Sequence, residues 1–199
     1  MAAAGRALGD LTVAVLTVSD GVAAGRRQDV AGELVAAEAR RLGWRVAARA
    51  VVADDASAVA AWLQARCDGP DAADLVLTLG GTGLGPRDVT PEATGPLLER
   101  PVPGLAEALR HEGSRHTLAA YLSRGLAGLR GRTLVVNVAG SAGAARDAMD
   151  LLGRLVPHAL HVGAGGGHER EEGAAAERPR GTGAGAEPGR GQGGLGGGG

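Results

Sequence analysis

Three stretches limit the folds open to this chain more than anything else in it: LTVAVLTVS (11–19), ADLVLTL (73–79) and RTLVVNV (132–138). Each is rich in β-branched and other apolar residues and reads as a strand, the first two in the pattern of strands covered on both faces. WRVAARAVV (44–52) reads as a fourth strand. Helical spacing fills the gaps. Over 29–42, Val30, Leu34, Val35 and Leu42 fall on or near one face, with Gly43 at the C-terminal end. DASAVAAWLQARC (55–67) follows, with Asp55 or Ser57 as its N-cap. Thr90-Pro91-Glu92 opens another helix, with Thr90 capping, Pro91 at the first helical position and Glu92 facing the positive end of the dipole. A further helix is expected from about Pro103 to Glu112. The last carries Ala145, Met149, Leu152, Val156 and Ala159, and Pro157 is expected to kink or shorten it. This βαβαβα order predicts an α/β domain over 11–163, three layers (αβα) around a mostly parallel sheet with right-handed crossovers.

Composition decides what the core is made of and which partners are excluded. Hydrophobic residues make up 44% but aromatics only 2%, with no Phe, so the core must be Val, Leu and Ala. Trp44, Trp62 and Tyr121 are the aromatic anchors available, too few for a surface that stacks bases. A net charge of −1 points to neither a nucleic acid nor a membrane surface as partner. Every basic residue is Arg, which excludes a Schiff-base lysine and a P-loop lysine. Any phosphate must then be held by backbone amides, Arg, hydroxyls or a metal. One cysteine, Cys67, excludes a disulfide within the chain and fits a reducing cytoplasm. MAAAGRALGD lacks the apolar run of a signal peptide, and no segment reaches the length of a membrane span. Residues 1–10 read as a loose arm. From 164 to 199 the chain is mostly Gly, Ala, Glu, Arg and Pro, the composition of a disordered tail.

In open parallel α/β sheets, ligands bind beyond the C-terminal strand ends. Four loops leave those ends: Ser19-Asp20-Gly21, Asp54-Asp55, Gly80 to Asp88, and Gly140-Ser141-Ala142-Gly143. Most are rich in Gly and hydroxyl residues, as suits anion nests of successive N–H groups. GGTGLGPRD (80–88) matches neither the dinucleotide fingerprint, which would need Gly at Pro86, nor the P-loop, which needs Lys. In it, Gly80, Gly81 and Gly83 allow main chain to touch a phosphate, Thr82 offers a hydroxyl, and Arg87 a guanidinium fork. A carboxylate at Asp88 beside a phosphate calls for a bridging cation, and Mg²⁺ binds one or two carboxylates plus phosphates. Asp88, with Asp54, is therefore a candidate metal ligand. Helix capping is the alternative for Asp88 and for Asp54 or Asp55, and pairing with Arg87 a further one for Asp88.

LTVSD (16–20), ADD (53–55), GGTGLGPRDVTPEAT (80–94), PGLAEALR (103–110), LSRGLAGLRG (122–131) and NVAGSAGA (137–144) occur in this order. On these motifs the chain resembles the MogA/MoaB family of molybdenum-cofactor biosynthesis proteins, molybdopterin adenylyltransferases akin to the G domains of gephyrin. The resemblance covers about 11–162. It implies the MogA/MoaB-like fold and Mg-ATP-dependent adenylylation of molybdopterin with release of pyrophosphate. It places essential aspartates at Asp54 and Asp88, with Asp88 on the metal. The molybdopterin phosphate pocket falls on Gly80, Gly81, Thr82 and Gly83, beside Arg87, and the nucleotide side on Gly140 and Ser141, with Ser19 and Asp20. It also implies a homotrimer, and a downstream molybdenum insertase as partner. The family's Leu-Pro-Gly-Ser-Pro-Lys loop reads VAGSAG here, with Ala139 and Ala142 in place of both prolines and Gly143 in place of the lysine. Lost prolines should leave the unbound loop less preorganised. That supports an alternative: a molybdopterin-binding carrier or scaffold with weak or no ATP turnover. A nucleotide-dependent oxidoreductase on a similar sheet is disfavoured by the missing fingerprint.

Overall fold

A computed structural model describes residues 11–163. The N-terminal arm (1–10) and the tail (164–199) lie outside the described residues. Within them, β1 (Thr12–Val18), β3 (Leu75–Leu79) and β6 (Thr133–Val138) are buried at every position. They form the sheet's interior, where both faces need apolar cover. β2 (Arg45–Val52) is an edge strand, and its residues alternate between exposed and half-buried. The six strands lie in the order β2-β1-β3-β6-β5-β4. β1, β2, β3 and β6 run parallel.

The period of two along each strand sorts side chains between two cores. Val13, Val15, Leu75, Leu77, Leu134 and Val136 face one side. There they meet α2 (Val30–Arg41), α5 (Pro103–Ser114) and α6 (Ala142–Gly163) through Val35, Leu105, Met149 and Leu152. Ala14, Leu16, Val18, Val76 and Val135 face the other side. They pack on Val59, Leu63 and Cys67 of α3 (Ala56–Cys67) and Ala93 of α4 (Thr90–Thr94). The three-layer arrangement thus follows from uninterrupted apolar strands, as the sequence predicts. Of the expected aromatic anchors, Trp44 is buried and Trp62 packs beside the second cluster. Tyr121, by contrast, is 54% exposed and anchors no core.

Three local expectations are corrected. Of the two effects expected of Pro157, shortening is absent: helix α6 runs on to Gly163, because Ala159 and Leu160 beyond the proline pack on the first core. Thr90 is the first residue of α4 rather than its cap, and Pro91 the second. Its hydroxyl donates to the Gly80 carbonyl at 2.9 Å instead. Finally, the sheet gains two antiparallel strands that the apolar pattern does not mark: β4 (Arg100–Pro101) and β5 (Ala127–Arg130). β5 turns into β6 through Gly131-Arg132, with Gly131 at φ +54°. This hairpin carries the 123–126 segment up against the glycine loop.

Candidate functional site

A cleft of about 790 Å³ opens beyond the C-terminal ends of β1, β3 and β6. Ser19, Asp54, Gly80–Gly83, Asp88, Gly140 and Ser141 all line it, so residues from four separate loops converge. Two of the loops touch. Gly80 sits at φ +103°, and a Cβ on it would collide with the Val18 carbonyl; a Cβ on Gly140 would lie 3.0 Å from the Gly80 Cα. Gly81, at φ +61°, packs equally closely on the Thr90 hydroxyl, and its missing Cβ would lie 3.2 Å from Asp54 Oδ1. Gly80 and Gly140 are there because main chain meets main chain at the mouth of the sheet, and Gly81 because side chains close on it.

The orientation of this loop is its main chemical feature. The Gly80 carbonyl accepts from Thr90 Oγ1, and the Gly81 carbonyl from the Thr90 N–H at 3.0 Å. The Thr82 carbonyl accepts from the Arg124 N–H at 2.9 Å, and the Gly83 carbonyl from Arg124 Nε at 2.7 Å. Four successive carbonyls are thus engaged from behind, and neither Thr90 nor Arg124 lines the cleft. In a trans peptide the N–H points opposite to the preceding C=O, and no peptide bond here is cis. The N–H groups of Gly81, Thr82, Gly83 and Leu84 are therefore turned the other way. Among the described residues none of them donates to a protein acceptor. Gly81, Thr82 and Gly83 line the cleft and Leu84 follows just outside it; consecutive unengaged amides on a cleft wall form an anion cradle. Thr82 Oγ1 adds a hydroxyl and accepts from Ser123 Oγ at 3.4 Å.

The acidic residues divide by partner. Asp55, not Asp54, caps α3, its carboxylate accepting from the Ala58 N–H at 2.7 Å. Asp54 is thereby released to the cleft, where its Oδ2 accepts from the Asp20 N–H at 2.7 Å and its Oδ1 faces Gly81. Asp88 Oδ2 accepts from the Gly85 N–H at 2.8 Å, a turn within the loop rather than a cap on the next helix. Arg87 does not pair with Asp88. It forks onto Asp20, with Nε and Nη2 at 2.9–3.1 Å from the carboxylate. The Asp54 N–H and then the Arg87 guanidinium hold the Asp20 carboxyl below its ordinary value of 3.8. Arg87 and Asp20 do not themselves line the cleft. They tie the first and third loops together at the rim instead. Ser19 and Ser141 both sit in the wall and both cap helices: Ser19 Oγ accepts from Val22 N–H in α1 (Asp20–Ala23), and Ser141 Oγ from Ala144 N–H in α6.

Asp54 and Asp88 each keep one carboxylate oxygen without a hydrogen-bond donor, beside an amide cradle in one cleft. That donor set fits Mg²⁺, which takes few protein carboxylates and completes its shell with water and phosphate oxygens.

Sequence reasoning passed over Arg124. Besides the Gly83 carbonyl, its Nη2 donates to the Asp88 carbonyl at 2.7 Å, and its Nη1 pairs with Glu92. Arginine at this place in LSRGLAGLRG carries no local signal, since its partners lie 32 to 41 residues away. Asp29 lines the cleft as well. It caps α2 and accepts from the Thr17 hydroxyl at 2.8 Å.

A family model described as "Probable molybdopterin binding domain" matches residues 14–158. A molybdenum cofactor biosynthesis bifunctional protein of Synechococcus elongatus is 37% identical over 167 residues, 84% of this chain and 52% of its own length. The chain thus spans about half of that relative. A molybdopterin adenylyltransferase of Helicobacter pylori is 33% identical over 112 residues, 56% of this chain and 63% of that protein. The molybdopterin biosynthesis enzyme MoaB of Thermus thermophilus superposes with a TM-score of 0.72 at 44% identity, covering 78% of this chain and 97% of the other.

Proposed function

The chain belongs to the molybdopterin-binding domain family of molybdenum cofactor biosynthesis proteins, and from that premise we propose that it adenylylates molybdopterin. In this reading the terminal phosphate oxygen of molybdopterin attacks the α-phosphorus of ATP. The bond to the β-phosphate oxygen breaks, and pyrophosphate departs with its electron pair. The observation that carries the reading is the row of unengaged amides from Gly81 to Gly83 beside two carboxylates. Reactions of this type ask a protein mainly for positioning and charge neutralisation.

The amides of Gly81, Thr82 and Gly83 hold the molybdopterin phosphate with the Thr82 hydroxyl. Gly140 and Ser141, with Ser19, face the nucleotide, and the N-terminus of α6 adds partial positive charge there. Asp54 and Asp88 hold Mg²⁺, which when bound neutralises phosphate charge. Arg87 and Asp20 brace the rim, and opening of their pair would free Arg87 for a phosphate. A homotrimer, a molybdenum insertase receiving the product and a cytoplasmic setting complete the reading. Among the described residues no helix is long and apolar enough to cross a membrane. The trimer's check is a solution mass of about three times 19.7 kDa.

The altered 139–143 loop favours one second reading, a molybdopterin carrier with little ATP turnover. Mixing the protein with molybdopterin and Mg-ATP and following pyrophosphate separates the two. Release at catalytic rates supports the transferase; molybdopterin binding without release supports the carrier; neither would sink both. Asp88→Asn is expected to keep molybdopterin binding and lose turnover by about 10²-fold or more. Turnover at the parental rate would remove Asp88 from the metal.

A further inference from the structure

The amide cradle is only as good as the groups that hold its carbonyls back. Thr90 secures the first two through its hydroxyl and its N–H. The other two fall to Arg124, and its side chain does more than its main chain. Nε reaches the Gly83 carbonyl at 2.7 Å and Nη2 the Asp88 carbonyl at 2.7 Å. One planar guanidinium therefore fixes both ends of the segment 83–88. At one end it turns the Leu84 N–H away from itself, into the row of free amides. At the other it fixes the main chain from which the Asp88 carboxylate projects. Glu92 on α4 pairs with Nη1 and holds the guanidinium in plane, and the Glu92 carboxyl lies below its ordinary 4.5 chiefly through this bond.

We infer that Arg124 is the positioning residue of the anion site: without touching the ligand, it sets the geometry of the phosphate-binding amides and of Asp88 together. The inference rests on the phosphate-cradle part of the reading above, but not on adenylyl transfer. Loss of the guanidinium would let the Gly83–Leu84 and Asp88–Val89 peptides rotate, and the cradle would then pay an ordering cost on each binding event. Lysine, with one ammonium and no fork, can satisfy one carbonyl but cannot hold both in a common plane.

The test uses the full chain with Arg124→Ala, Arg124→Lys and Glu92→Gln. In ligand-free protein, exchange of the Gly85, Asp88 and Thr90 amides, each bonded within this loop region, is followed by NMR. Inorganic phosphate is then titrated against the amide signals of Gly81–Leu84. Arg124→Ala is expected to speed exchange of Gly85 and Asp88 and to weaken phosphate binding, each by about tenfold or more, while the β1 and β3 amides keep their protection. Lys should recover part of the loss, and Glu92→Gln should fall between Lys and parental protein. A merely structural arginine would instead lower protection throughout the sheet. Parental exchange and parental phosphate affinity in Arg124→Ala would overturn the inference alone. Should that variant not fold, parental behaviour of both Arg124→Lys and Glu92→Gln would do the same. If phosphate leaves the Gly81–Leu84 signals of the parental protein unmoved, the cradle reading falls and takes the inference with it.

Discussion

Asp20 has two jobs at the rim of the cleft, and its charge is needed for both. Its carboxylate accepts the Asp54 N–H at 3.1 Å and both arms of Arg87, while its own N–H serves the Asp54 carboxylate. The folded-state pKa lies below the ordinary 3.8. The stabilisation linked to that shift is therefore fully present above about 3.8 and is lost as pH falls through the folded value. Asp20→Asn should be less stable than the parental protein at about pH 7, and the difference should close on the acid side of 3.8. Urea denaturation at several pH values reads this directly, and a deficit that stays constant down the acid limb would assign the effect to shape rather than charge. The same cluster shows what the sequence could and could not say about single residues. That acids flank the strand ends was legible. That Asp55 or Ser57 caps the helix was legible too, and Asp55 does; that Asp54 turns into the cleft was not, because its partner, the Asp20 N–H, lies 34 residues away. Tertiary bonding to the Asp20 N–H draws Asp54 into the cleft and leaves the cap to Asp55.

The glycine loop shows the corresponding limit among elements. GGTGLGPRD announces a close approach of main chain, but not to what. The partners prove to be protein first: Val18 and Gly140 for Gly80, Thr90 for Gly81. Gly81→Ala and Gly131→Ala form a matched pair, since both positions have positive φ, +61° and +54°. At Gly131 the new Cβ meets nothing within 4 Å, so only the left-handed backbone penalty of about 1–2 kcal/mol applies. At Gly81 the Cβ would displace the Thr90 hydroxyl and press on Asp54 and Val18. A total cost of about 2–4 kcal/mol is expected there, with loss of phosphate binding. Thermal melting should rank Gly81→Ala below Gly131→Ala, and equal melting points would mean that α4 yields to the intruding methyl. Strands β1, β3 and β6 could be read from their apolar runs because burial on both faces writes itself into composition. β4 and β5 could not. Two and four residues long, with Arg and Pro among them, they exist because β6 offers a free edge. Arg124 went unread for the same reason: its position depends on that hairpin.

At the scale of the whole molecule, the cleft is the place where both halves of the sheet meet, and the 139–143 loop is its least committed wall. Ser141 caps α6 and Gly140 leans on Gly80, yet the prolines expected from the family resemblance are alanines. Ala142 is the first residue of α6, where proline's fixed φ suits the helix. Its N–H donates to no protein acceptor among the described residues, so Ala142→Pro forfeits no bond within them. The gain comes from a narrower unfolded ensemble and is worth about 0.4–1 kcal/mol. For a chain of this size that is a melting-point rise of roughly 1–4 °C. A loop that spends less time outside its bound shape should also bind Mg-ATP more tightly, and pyrophosphate release at low ATP should rise with it. The two effects separate two features of the altered loop, its stiffness and its charge. If the variant melts higher but binds ATP no better, the Gly80–Gly140 contact already fixes the loop. The missing lysine charge at Gly143, rather than lost stiffness, would then set what this site can do with a nucleotide.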